Sequence, residues 1–213
     1  MIHHHPGEEL LLAYAAGAAD EALSLIVATH MTYCAICRLR SKKLECLGGA
    51  LLQELPPAPL DEGALDNVLA RLGSVTPYER PRRVASRDGT PAPLRAYIGG
   101  DLSIVRWRKM GQRLSYAPLF KRGNVTARLL KCVPGADSGA HSHHGSEFTV
   151  VLQGGYTDVT GSYGPGDLQM REDGMPHNVV ADPGESCINL AVTTGPLKFE
   201  SLLQSIAAPL FGF

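Results

Sequence analysis

The sequence lacks an excess of charge of either sign: Lys and Arg total 20, Asp and Glu total 21, and the formal net charge is -1. Nothing therefore gives the chain a general affinity for nucleic acid or for an acidic membrane, and a partner has to be recognised by shape and local contacts. Long hydrophobic runs are missing too. None reaches the roughly 18 residues of a spanning helix, and the N-terminus lacks the charged-then-apolar order of a signal peptide. These absences predict a cytoplasmic protein with no membrane partner and no direct contact with nucleic acid. Cysteine is scarce and odd in number, at 5. In a reducing compartment that favours ligand or sensor roles over a disulfide framework.

Three of the scarce thiol and imidazole groups fall together in His30-Met-Thr-Tyr-Cys34-Ala-Ile-Cys37. Residues at i and i+4 are neighbours on a helix, so H-x3-C sets His30 and Cys34 on one face and Cys37 comes round to the same point. One imidazole and two thiolates are three corners of a tetrahedral zinc site. A C-x2-C pair also reads as a thioredoxin-like redox motif, but that motif opens a helix after a strand, and here an apolar helical pattern precedes it. A core histidine with two unconnected cysteines does not account for the convergent spacing. The fourth corner is open. His3, His4 and His5 read either as the remnant of a purification tag or as the source of the missing ligand.

Around this motif the pattern is helical. Leu10, Leu11 and Tyr14 recur at helical spacing from Glu8 to about Gly17, a natural stop. Asp20 then caps a second helix that carries Leu23, Ile26, Val27 and His30 on one stripe. A third helix is expected through Leu39, Leu44, Leu47 and Leu51 to Leu55, ended by Pro56, Pro57 and Pro59. Its basic start, Arg38, Arg40, Lys42 and Lys43, reads as a solvated face. Asp61 is expected to cap a fourth helix whose stripe, Leu65, Val68, Leu69 and Leu72, either closes the small bundle or faces a partner. From Thr76 to Pro93 prolines and arginines replace large apolar residues, the mark of an interdomain linker.

Beyond the linker the period becomes two. Short strands are expected around Val125 to Leu129, Phe148 to Leu152, Tyr156 to Thr160, Leu168 to Met170, Asn178 to Ala181 and Cys187 to Val192, with glycine-rich turns between them. Such strands make a sandwich or barrel. A last apolar segment, Phe199 to Phe211, is expected to be a short helix packed on it. Within the strands, Gly135-x5-His141-x-His143-x3-Glu147-x6-Gly154 puts His141 and His143 on one face, with Glu147 if the turn keeps register, and His177 arrives from another strand. Three imidazoles and a carboxylate suit zinc, iron, manganese, nickel or copper. His144 has the opposite parity and is left outside. Cys132 and Cys187 read as buried small hydrophobes and Cys46 as helix packing.

The Gly135 to Gly154 pattern, with Gly166-Asp167 and Gly174-x2-His177, resembles the two motifs of the cupin superfamily. The second is the poorer match, with Asp173 and Ala181 at positions where the family usually has other residues. The first part of the chain resembles the zinc-binding anti-sigma domain of bacteria, on Leu11-Leu12-Ala13-Tyr14-Ala15-Ala16-Gly17 and on His30, Cys34 and Cys37, with His5 nearest the upstream histidine. The two together resemble the ChrR anti-sigma factors. This implies an α+β chain of two domains: a zinc-binding helical bundle over 1–76, a linker over 77–93, and a cupin β-sandwich of jelly-roll type over 94–213. The implied zinc ligands are His5, His30, Cys34 and Cys37, and His141, His143, Glu147 and His177 would hold zinc or another divalent transition metal. The implied function is a non-enzymatic one. An anti-sigma factor holds an extracytoplasmic-function sigma factor inactive, wedged between its two DNA-binding regions, and releases it on singlet oxygen or organic peroxide. In such proteins the first domain suffices for inhibition and the cupin is needed for the response. The alternative is a cupin dioxygenase or isomerase with an appended zinc module.

Overall fold

Helix α2, Glu21–Tyr33, is the centre of the N-terminal part in the computed structural model, which describes residues 2–74, 86–139, 141–172, 174, 178–195 and 197–199. Asp20 caps it as expected, its carboxylate accepting the Leu23 N–H at 2.8 Å. Before it, α1 (Glu8–Ala15) ends at Gly17, whose φ of 69° is the left-handed stop that glycine permits.

After Tyr33 the chain breaks rather than continuing the turn. Cys34 is extended, with φ -103° and ψ 104°, and its sulfur accepts the Cys37 N–H at 3.4 Å as the cap of α3 (Ala35–Gln53). His30 and Cys34 therefore meet across a helix break, not along one helix as the spacing suggested. Arg38 Nη1 donates to the Met31 and Thr32 carbonyls, so one cation of the basic run closes the end of α2. Asp61 is not the cap of α4 (Ala64–Leu72). Gly63, at φ 78°, takes that place, while the Asp61 carbonyl accepts the Ala64 N–H at 3.0 Å in a turn.

Eleven strands follow among the described residues: β1 (Arg108–Met110), β2 (Leu114–Arg122), β3 (Val125–Cys132), β4 (His141–His143), β5 (Glu147–Gln153), β6 (Tyr156–Asp158), β7 (Gly161–Tyr163), β8 (Leu168–Arg171), β9 (Val180–Ala181), β10 (Cys187–Thr193) and β11 (Leu197–Phe199). They form a six-stranded sheet in the order β1-β2-β3-β10-β5-β8, a three-stranded sheet β7-β6-β9 and a pair β11-β4. All pairs are antiparallel. This is the expected sandwich, and the expected strands lie within it. The short β1, β7 and β11, and the long β2, went unread, while β4 was read only through the parity of its two histidines.

Side-chain alternation gives the large sheet two faces. One face presents Ala127 and Leu129, Phe148 and Val150, Leu168, Leu190 and Val192, and these join one core with Leu10, Leu11, Leu25, Ile26 and Val27 of the helices. Burying each such side chain contributes about 1.5–3 kcal/mol, so α1 and α2 are fastened to the sheet. The other face carries Val151 and Cys187, which pack with Tyr156, Tyr163 and Ala181 of the smaller sheet.

The end of the expected linker leads into this core. Asp88 accepts the N–H groups of Thr90 at 3.1 Å and Ser103 at 3.0 Å. Helix α5 (Ala92–Ile98) then starts after Pro91 and buries Leu94 completely. Residues 77–85 of the expected linker, and the expected C-terminal helix beyond Phe199, lie outside the described residues.

Candidate metal centre

His5, His30, Cys34 and Cys37 each direct a ligand atom to one point, all four atoms lying within 4.8 Å of one another. His5 Nδ1 is 3.4 Å from both sulfurs, and the two imidazole rings meet edge to face, 5.7 Å apart. His30, Cys34 and Cys37 are buried, and His5 is half-buried. No other group of three or more such ligands occurs among the described residues.

The protonation states fit a cation. His30 Nδ1 lies 2.7 Å from the Gly166 carbonyl, and a carbonyl only accepts, so Nδ1 carries the proton and Nε2 keeps its lone pair. That Nε2 is buried and has no hydrogen-bond partner, an orphaned acceptor that a metal would satisfy. Burial keeps His30 neutral by lowering its pKa, with the Gly166 hydrogen bond working the other way. Burial, then the Cys34 hydrogen bond and charge, push the Cys37 thiol up to about 12. Two adjacent buried thiolates need a positive partner. Two sulfurs and two imidazole nitrogens are a donor set that tetrahedral divalent metals of the zinc type accept.

Of the three N-terminal histidines, His5 joins the cluster. The His4 ring lies tilted against Tyr163, the centroids 4.2 Å apart, with its Nε2 3.2 Å from the Ser162 carbonyl, and His3 lines a surface recess with Ser162, Gly164 and Asp167. The turn between β7 and β8 was legible only as a family glycine-aspartate pair, yet it touches the centre. Besides the Gly166 carbonyl, the Asp167 carboxylate accepts the backbone N–H groups of His3 at 2.7 Å and His4 at 2.8 Å. Burial alone would raise the Asp167 carboxyl, but these bonds and that from Gly164 hold it below the usual range.

The second constellation is described in part. Glu147 opens β5, half-buried, with Arg171 and Thr193 as its cross-strand neighbours. The turn before it is fixed: the Ser146 N–H donates to Thr194 Oγ1 at 2.8 Å, and Gly145, at φ 83°, would put a Cβ 2.6 Å from that oxygen. His141 and His143 are the ends of β4, but their side chains and the whole of His177 lie outside the described residues. His144 is exposed, in keeping with its parity. The neighbourhood of Glu147 is charged. Burial pushes the Arg128 guanidinium down to about 10 against the charge of Glu147. Asp158 contacts Arg171, and hydrogen bonds from Thr160, Arg171 and Gln169 outweigh its burial and hold it at about 2.

Comparison with known proteins joins these parts. The family model of the ChrR cupin-like domain matches residues 97–198. The anti-sigma-E factor ChrR of Cereibacter sphaeroides is 42% identical over 210 residues, 99% of this chain and 98% of that protein. A solved structure, Rhodobacter sphaeroides SigE in complex with the anti-sigma ChrR, matches with a TM-score of 0.79 at 40% identity, covering 91% of this chain and 99% of the matched one. The likeness runs through the helices and the sandwich alike, and the chain belongs to the ChrR family of anti-sigma factors.

Proposed function

We propose that this chain is an anti-sigma factor that binds and inhibits an extracytoplasmic-function sigma factor in the cytoplasm, as a regulator and not as an enzyme. The observation that carries the reading is the uncovered apolar surface of α3 and α4. Leu47, Leu51 and Leu52 on α3, and Leu65, Val68, Leu69 and Leu72 on α4, are each more than half exposed. Soluble monomers seldom leave such a surface bare, and the i, i+3, i+4, i+7 row of α4 suits a helix that docks in an apolar groove. A cupin enzyme with an appended module gives those side chains no occupant. The ChrR protein of the matched complex is bound to its SigE, which supports a partner of that class.

Zinc is the metal proposed for His5, His30, Cys34 and Cys37, because thiolate and imidazole are its preferred donors. The inhibitory unit is proposed to be residues 1–76, with 77–93 as connection and 94–213 as the responding cupin. There His141, His143, Glu147 and His177 would hold zinc or another divalent transition metal. Singlet oxygen or organic peroxide, altering that second ligand set, is the proposed signal for release. Such a signal acts only if it affects the bound and free forms differently.

Transcription from a sigma-dependent promoter, reconstituted with core polymerase, tests both halves. Leu65→Asp with Leu69→Asp should weaken inhibition by at least tenfold, the loss of one buried anchor; full inhibition by the double variant would refute the docking face. Glu147→Ala should inhibit in the dark like the unaltered chain and release the sigma factor poorly under singlet oxygen. Normal release would remove the cupin ligands from the signal.

A further inference from the structure

The two histidines of the N-terminal centre are held by groups from the sandwich. Gly166, 136 residues beyond His30, supplies the carbonyl that fixes the His30 ring and its tautomer. Glycine is required there: at φ 92° an added Cβ would lie 2.4 Å from Ile2 Cδ1 and 2.6 Å from Tyr33 Cβ. Any side chain would push α2 off the turn and lengthen the bond to His30. Asp167, 4% exposed, accepts the His3 and His4 N–H groups on one oxygen and the Gly164 N–H, at 3.0 Å, on the other. The Leu168 N–H donates to the His4 carbonyl at 3.1 Å. Residues 3 and 4 are thereby laid along β8, the terminal strand of the large sheet, and the next residue is the ligand His5.

We propose that the Gly164 to Asp167 turn positions His30 and His5 for the metal, so that the metal is bound by the helical unit and the sandwich together and its affinity depends on their being docked. This rests on the reading of His5, His30, Cys34 and Cys37 as a metal centre. The groups that orient a metal-bound imidazole typically change affinity by 10–100-fold when removed. Here one such group is the Gly166 carbonyl. The other acts through the backbone, since without Asp167 the segment before His5 loses the acceptor of two N–H groups and has to be ordered by the metal alone. Coupling of this kind is reciprocal: whatever displaces the turn weakens the centre, and removal of the metal loosens residues 3 to 5 from β8.

Cobalt(II) titration of the full chain, read by thiolate-to-cobalt absorption, tests the proposal. The cupin ligand set contains no cysteine, so the band reports the N-terminal centre. Asp167→Ala should bind cobalt 10–100-fold more weakly than the unaltered chain, with shifted ligand-field bands. Asp167→Asn keeps an oxygen acceptor for His3 and His4 and should restore most of the affinity. Glu185→Ala, on an exposed turn of the sandwich, should change nothing. In the unaltered chain, hydrogen exchange at the Leu168 amide should quicken when a chelator strips the metal. Unchanged affinity in Asp167→Ala while the Cys34→Ser, Cys37→Ser double variant abolishes the band overturns the proposal and leaves the metal centre standing. Equal weakening in the Ala and Asn variants, or Leu168 exchange indifferent to metal, overturns it as well. If that double variant also keeps the band, the metal centre falls first.

Discussion

α2 and α4 carry apolar stripes of the same periodicity and meet opposite fates. In α2, Leu25, Ile26 and Val27 are buried to 3% exposure or less against the sheet, while in α4 every large apolar residue of the stripe is exposed. α3 contains both conditions in one helix: Cys37 and Ser41 are buried, and from Glu45 to Gln53 every residue is exposed. A periodic stripe thus states that a helix has an apolar face, not what covers it. In α2 the cover is this chain's own sheet, and in α4 it has to come from elsewhere.

The contrast can be broken by substitution. Ile26→Ala should cost the isolated chain about 2–5 kcal/mol, the usual price of a cavity in a closed core, measured by urea unfolding; a loss below 1 kcal/mol would mean that α2 is not fastened to the sheet. Thiol labelling sharpens the contrast at smaller effect. Cys46, exposed on the outer part of α3, should react with iodoacetamide in the native chain. Cys187 is buried, and its thiol is pushed up to about 12 by desolvation and the neighbouring Cys132. Buried and held as the unreactive neutral thiol, it should be found labelled by peptide mapping only after unfolding. Smallest is Leu69→Ala, which should stay within about 0.5 kcal/mol of the unaltered chain in the same urea experiment. A large loss there would show that α4 is packed within this chain after all.

What the sequence reveals is what is local. His30, Cys34 and Cys37 lie within eight consecutive residues, so their convergence was legible even though the geometry is a helix break at Cys34 and not a continuous turn. Asp20 was legible as a cap because its partner, Leu23, is three residues away. Asp61 looked like the same signal, but a left-handed Gly63 starts α4 two residues later. The bond from His30 to Gly166 spans 136 residues, and no periodicity or spacing encodes a contact of that length. The same limit explains α5: its prolines read as linker, and only tertiary packing of Leu94 makes the segment part of the core. Parity groups His141, His143 and Glu147, but the two histidine side chains lie outside the described residues, and Glu147 opens β5 one residue before the strand expected from Phe148.

The contact between His4 and Leu168 has a consequence for solubility. β8 ends the large sheet, and an open terminal strand offers its unpaired backbone groups to any other extended chain. In this protein the outer edge of β8 receives the His4 carbonyl at Leu168, and Met170 sulfur accepts the Gly7 N–H at 3.3 Å. The first residues of the chain therefore act as a guard against edge-to-edge association of one copy with another. A polypeptide shortened past Gly7, or extended so that this segment is pulled off the sheet, would uncover a ready template for self-association.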